Sequence, residues 1–245
     1  MRIANCVIIF LLILLNAAYS KDIYWYLAAS MTKPAKEIVE SYNKKGQDKI
    51  FLITGGSGEL LSKIHASKRG DLYTPADESF LKKAIQLGVI KKYKPLLIQE
   101  PVLAFAKNSK VEFDNISNIC GAKVKIALGN PETMAMGKIF ESMQQLMPPN
   151  IYNCIKEKKT VDPLNISQTV NYLINNVVDM GMLFKSTAKV NKLKYIEIPT
   201  QWNIKEKAYL AQLIYTKDIK ATEAAIQFIE KNLYIFERNG FDIIK

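Results

Sequence analysis

The chain has 245 residues, 49% of them hydrophobic and 23% charged, with a formal net charge of +11 at pH 7. Such a composition excludes wholesale disorder and collagen-like repeats, and the length permits one large domain or two of roughly 100 residues each. With His65 as its single histidine, the chain is poorly equipped for a catalytic triad, a zinc site or a haem site, and its positive balance points to a binder of something anionic.

The first twenty residues read as a targeting segment. Arg2 supplies a positive start, Cys6–Leu15 (CVIIFLLILL) is an unbroken apolar run, and Ala18 and Ser20 are the small residues that precede a cut. This predicts a secretory signal cleaved after Ser20; an uncleaved anchor is the alternative. The run is shorter than the roughly 18–20 apolar residues of a membrane span. No cysteine stands at the cut, so no lipid attachment is expected. No later stretch is apolar enough to span a bilayer, so the mature chain is expected to be soluble and periplasmic. Cys120 and Cys154 remain after cleavage, and their spacing fits no zinc pattern. In an exported chain a disulfide and a pair of buried thiols are both open.

Beyond residue 20, strands and helices alternate. Asp22–Leu27 reads as a strand that turns at Ala28-Ala29-Ser30 into a helix from about Pro34 to Lys44. Lys49–Thr54 is a second strand, and Gly55-Gly56-Ser57-Gly58 opens a helix over about Glu59–Ser67. A short strand at Asp71–Thr74 precedes a helix near Glu78–Leu87 that Gly88 stops. The Lys91–Lys94 stretch reads as solvated surface. Further strands are predicted at Val102–Lys107, Lys123–Leu128, Asp179–Phe184, Lys194–Ile198 and Tyr209–Tyr215, with helices near Met134–Leu146, Ser167–Asn175 and Thr222–Lys231. The alternation predicts an α/β fold with mainly parallel sheets flanked by helices.

In open α/β sheets, ligands sit where strands run into helix starts. Two such junctions here carry small residues and a hydroxyl, one at Ser30 and one at Ser57. Glycines would let a ligand approach the backbone, and free N–H groups at helix starts favour an anion. Helix capping is the other role open to both serines, and spacing alone favours it. Rival motifs fail. Position 59 is Glu, so there is no GxSxG elbow; no Gly-Lys-Ser/Thr follows, so there is no Walker A loop; there is no GxGxxG. His65 lies among Lys63, Ser67 and Lys68 and reads as a surface residue. Asp77-Glu78 read as helix-start acids rather than a catalytic pair.

At these same residues the chain resembles the periplasmic molybdate-binding proteins of ABC transporters. The likeness runs through Leu27–Thr32, Ser57–Leu60, Gly70–Asp77, Ala127–Glu132, Asn165–Gln168 and Ile235–Phe241, in the family's order. It implies a two-lobed type II periplasmic binding fold with its ligand in the cleft. The implied division is a signal peptide at 1–20, a first lobe of 21–101 plus 208–245 and a second lobe of 102–207, with crossings near Pro101 and Ala208. It also implies an oxyanion-binding set. Ser30 and Ser57 would give hydroxyl and backbone bonds, and Met136 and Ile166 backbone N–H bonds. Phe184 stands where the family often has a tyrosine donor, and Met136 where the family usually has a small residue. The ligand so implied is molybdate or tungstate, with no catalytic residue, no cofactor and no metal beyond the oxyanion. The implied partner is an ABC transporter membrane permease; nucleic acid is not expected, and the chain should be a monomer. Sulfate, thiosulfate or a small phosphorylated solute on the same fold is the alternative. A secreted hydrolase or adhesin is the distant one.

Overall fold

A computed structural model describes residues 21–45 and 48–244; the expected signal segment lies outside them. In chain order the elements are β1 (Asp22–Ala28), α1 (Thr32–Lys45), β2 (Lys49–Gly55), α2 (Ser57–Ser67), β3 (Leu72–Thr74), α3 (Glu78–Gln86), β4 (Ile90–Gln99) and β5 (Pro101–Phe105). There follow β6 (Ile126–Ala127), α4 (Ala135–Ser142), α5 (Pro149–Glu157), β7 (Lys159–Val161), α6 (Ile166–Ile174), β8 (Met180–Phe184), α7 (Lys185–Val190) and β9 (Tyr195–Glu197). The chain closes with β10 (Glu206–Leu213), α8 (Ile219–Lys231), α9 (Tyr234–Arg238) and β11 (Asp242–Ile243).

Local chemistry accounts for many of these boundaries. In β1 Ile23, Trp25 and Leu27 are buried on one face; on the other Tyr24 is exposed, but Tyr26 is covered by the cluster around Leu60 and Ile64. In α1 the buried positions Ala35, Ile38 and Val39 recur at helical spacing. Asp77, Asn165 and Asp218 cap α3, α6 and α8 by accepting from Phe80, Gln168 and Ala221 N–H groups. Gly88, at φ +67°, ends the α3 segment, with its own N–H on Ile85 O and the Val89 N–H on Ala84 O. That pair of bonds needs a left-handed residue, which glycine supplies without a Cβ clash.

The strands form two sheets, ordered β11-β4-β10-β3-β1-β2 and β7-β6-β8-β5-β9. Both are mixed rather than mainly parallel. Strands β1, β2 and β3 run parallel, but β10 and β4 pair antiparallel along their whole length, and β5 is antiparallel to both β8 and β9. The reason is the path between sheets: β4 leaves the first sheet directly into β5 of the second, and β10 returns alongside β4. Gln99 is the last residue of β4, Pro101 the first of β5, and Glu206 the first of β10. The change of sheet therefore occurs at Glu100 and across 198–205, and Glu206 and Lys207 belong to the first sheet because they pair with Gln99 and Ile98.

Lys91–Lys94 is exposed as expected and lies within β4, where Lys92 and Lys94 pair with Glu223 and Glu230 of α8. Two local expectations are corrected. The strand expected over Lys123–Leu128 shrinks to Ile126–Ala127, because the Lys125 N–H goes to the Asp179 carboxylate at 2.8 Å instead of a neighbouring strand. The helix expected over Met134–Leu146 breaks into α4 and a 3-10 turn at Met143–Gln145. Cys120 and Cys154 are joined by a disulfide, with Cα atoms 5.5 Å apart, tying α5 to the 3-10 turn at Ile116–Gly121. Buried apolar residues of both sheets form one continuous cluster, and a smaller one lies under α2 and α3 around Leu60, Tyr73 and Phe80. Among the described residues no helix is long and apolar enough to cross a membrane.

Candidate functional site

The five residues named from the sequence, Ser30, Ser57, Met136, Ile166 and Phe184, all line one cavity between the two lobes. The cavity is tight, about 10 Å³ for the centre of a water-sized sphere, and the remaining wall is Ala28, Ala29, Gly55, Gly56, Ala76, Met134 and Ala135. No acid and no base appears in that lining. Each contributing segment is the start of a helix. Ser30 lies in the 3-10 turn leading into α1, Ser57 is the first residue of α2, Met136 the second of α4 and Ile166 the first of α6; Phe184 immediately precedes α7. First-turn N–H groups have no partner inside their own helix, and the aligned peptide dipoles place partial positive charge there.

The two serines are held differently. Ser57 is buried, and its Oγ accepts the Ala76 N–H at 3.1 Å. A hydroxyl whose oxygen already accepts keeps its own proton to donate elsewhere. The Ser57 carbonyl accepts from the fully buried Tyr73 hydroxyl at 2.8 Å, and the Ala76 carbonyl accepts from Gln99 Nε2 at 3.0 Å. The corner is thus tied to the strand that leads into the first crossing. Burial pushes the Tyr73 phenol well above its ordinary range, with Asp77 adding to the effect, so it stays a donor. Ser30 is only 7% exposed, and its Oγ has no partner among the described residues. A buried hydroxyl left so costs free energy unless something else supplies the bond. Neither serine side chain caps its own helix; Gly56 is the cap residue of α2.

From the second lobe come main-chain groups under apolar side chains. Met136 and Phe184 are fully buried and Ile166 nearly so. Phe184 brings a ring and no hydroxyl, so its side chain closes the wall without adding a donor. Met136 folds into the core, and its N–H belongs to the first turn of α4.

The glycine corner does something the sequence reading missed. A Cβ on Gly56 would lie 2.3 Å from Thr133 O and 2.5 Å from Leu164 O; one on Gly58 would lie 2.4 Å from Glu132 O. What comes closest to these glycines is the main chain of the other lobe, and the Gly58 N–H donates to Thr133 O at 3.0 Å. Lys138 of α4 reaches across the same seam, its Nζ 5.1 Å from the centre of the Phe80 ring. The lobes are therefore in contact around the cavity. No signal in one sequence separates glycine needed for a ligand from glycine needed for a facing backbone.

The residues set aside stay outside. His65 is exposed on α2. Asp77 is the cap of α3, holding Phe80 N–H and the Ser79 hydroxyl, with burial pushing its carboxyl up. Glu206, unremarked in the sequence, accepts the Glu78 N–H at 3.3 Å. Burial foremost, with Asp77 and Glu78 nearby, pushes its carboxyl up to about 7. Among the described residues no group of three or more His, Cys, Asp or Glu is arranged to hold a metal ion.

This arrangement, two mixed sheets with helix starts converging on the cleft between them, meets a matching family model over residues 23–242. The chain belongs to the bacterial extracellular solute-binding proteins. It is 29% identical over 230 residues to YvgL of Bacillus subtilis, a candidate ABC transporter substrate-binding lipoprotein, covering 87% of this chain and 84% of that one. Among solved structures it is similar to the periplasmic molybdate-binding protein of Azotobacter vinelandii, with a TM-score of 0.79, 14% identity and coverage of 91% of this chain and all of that one. The sulfate-binding protein SubI of Mycobacterium tuberculosis gives a TM-score of 0.80 at 11% identity, over 92% and 88% of the two chains. At such identities these likenesses establish the fold: this solute-binding protein has the two-lobed periplasmic-binding architecture.

Proposed function

We propose that this solute-binding protein captures molybdate or tungstate outside the cytoplasmic membrane and delivers it to an ABC transporter permease, without catalysing any reaction. The observation that supports this is the lining of the cavity: the first residues of several helices and two serines, with no carboxylate. Molybdate and tungstate are dianions with no proton at neutral pH, so every oxygen is an acceptor and a site made of donors suits them. An acidic acceptor would instead select a protonated anion such as hydrogen phosphate. Neutral donors offset the desolvation of the dianion through charge-assisted hydrogen bonds. Without residues 1–20, which carry Arg2 and no acid, the net charge of +11 becomes +10; it favours capture of anions, an effect that salt weakens.

On this reading the lobes are 21–99 with 206–245 and 101–197, and they hinge at Glu100 and 198–205 to close on the anion. Residues 1–20 direct export and are removed after Ser20. Thermal unfolding with and without molybdate, tungstate, sulfate and hydrogen phosphate tests the ligand, since an anion bound only by the native state raises the midpoint. Molybdate or tungstate should give the largest rise; no rise with either overturns the ligand assignment. Phe184 favours a second reading: with no tyrosine hydroxyl at that position, the smaller sulfate or thiosulfate becomes the preferred anion, and the order of midpoints inverts.

A further inference from the structure

The cradle does not end at the anion. Through Ala29, Ser30 and Ile166, which line both spaces, it continues into a groove between α1 of the first lobe and α6 and α7 of the second. The groove has about 540 Å³ for a water-sized sphere and is open to solvent, against about 10 Å³ in the closed cradle. Its wall is polar. Thr187, 5% exposed, lines it, and Thr187 Oγ1 has no hydrogen-bond partner among the described residues. Ser30 Oγ, equally without a partner, stands where cradle and groove meet. Lys33 and Lys36 lie on the α1 side. Glu37 of the same wall is engaged by Arg238 and Asn239. With Ser30 Oγ given to the anion, Thr187 Oγ1 remains a buried hydroxyl awaiting a partner in a groove that opens from the cradle, which a bare mineral ion does not supply.

We infer that this groove is a second subsite, which takes the polar substituent of a phosphate monoester whose phosphoryl head sits in the cradle. The inference rests on the cradle being an oxyanion site and widens its ligand class. A monoester above its second pKa of about 6 is a dianion whose three terminal oxygens are all acceptors. It therefore suits the same carboxylate-free cradle as molybdate, whereas inorganic phosphate at neutral pH carries a proton that finds no carboxylate to accept it. The fourth oxygen bears the substituent, and the groove beside Ser30 gives it a direction to leave. Thr187, with Lys33 and Lys36 nearby, suits a short substituent carrying hydroxyl or carboxylate groups.

The test is calorimetric titration of the chain at pH 8 with molybdate, inorganic phosphate, methyl phosphate, glycerol 3-phosphate and 3-phosphoglycerate. Glycerol 3-phosphate or 3-phosphoglycerate should bind at least tenfold more tightly than methyl phosphate, and inorganic phosphate more weakly than any of them. Thr187→Val should remove that tenfold advantage while leaving molybdate and methyl phosphate unchanged, and Thr187→Ser should restore it. If molybdate binds but no monoester outperforms inorganic phosphate, or if Thr187→Val changes nothing, the subsite is overturned and the oxyanion reading stands. If no anion binds, both fall together.

Discussion

The two lobes furnish the same cavity in opposite ways. The first lines it with Ser30 and Ser57 beside two glycines; the second lines it with Met136, Ile166 and Phe184, whose side chains are apolar, so that on the proposed reading its donors are main-chain N–H groups. A hydroxyl donor depends on the identity of its residue, whereas a backbone donor depends only on where the helix starts. Substitutions in the first lobe should therefore act on the ligand directly, and conservative ones in the second should pass almost unnoticed.

The strongest way to break this contrast is Gly56→Ala. Its backbone (φ −69°, ψ 145°) accepts alanine, but the new methyl would sit 2.3 Å from Thr133 O in the closed arrangement. Anion affinity should fall roughly a hundredfold, the equivalent of about 3 kcal/mol. The unfolding midpoint without ligand should barely move, because the lobes can part; calorimetry and scanning calorimetry read the two separately. Next comes Ser57→Ala, which removes a buried donor to a charged acceptor. It should weaken anion binding at least tenfold, or about 1.5–3 kcal/mol, with the fold intact; an unchanged affinity removes Ser57 from the site.

A smaller effect concerns the first lobe at the return crossing. The Glu206 carboxyl titrates at about 7 against an ordinary value of 4.5, burial being the main cause. Between those two values the folded state holds a proton that the unfolded chain has released, so stability falls as pH rises from about 4.5 to 7. Glu206→Gln should flatten that fall by roughly 1–2 kcal/mol after allowance for solvent screening, as measured by urea unfolding across the range. The smallest effect is expected for Met136→Leu and Ile166→Val. Both keep the N–H, so affinity should stay within about threefold, and stability should drop by no more than about 1.5 kcal/mol. A tenfold loss of affinity from either would mean that the second lobe works through its side chains after all.

Much of the site was legible because its chemistry is local. Ser30 and Ser57 stand at strand-to-helix junctions that hydrophobic pattern and glycine content reveal, and Met136, Ile166 and Phe184 followed from a likeness carried by ordered motifs. Thr187 was not legible, since a threonine in a short helix announces nothing until a groove is seen beside it. Gly56 was read for the wrong neighbour. Glu206 was invisible because only packing against Asp77 and Glu78 makes it unusual.

Local order follows from near neighbours in the chain. The alternation in β1, the helical spacing in α1 and the stop at Gly88 are settled by interactions a few residues long, and they were determined by the sequence alone. Tertiary structure decided that β10 returns antiparallel to β4, that Cys120 meets Cys154, and that Thr133 and Leu164 press on Gly56. Those outcomes depend on which distant surfaces share one core, a matter of global packing that no short window of residues contains.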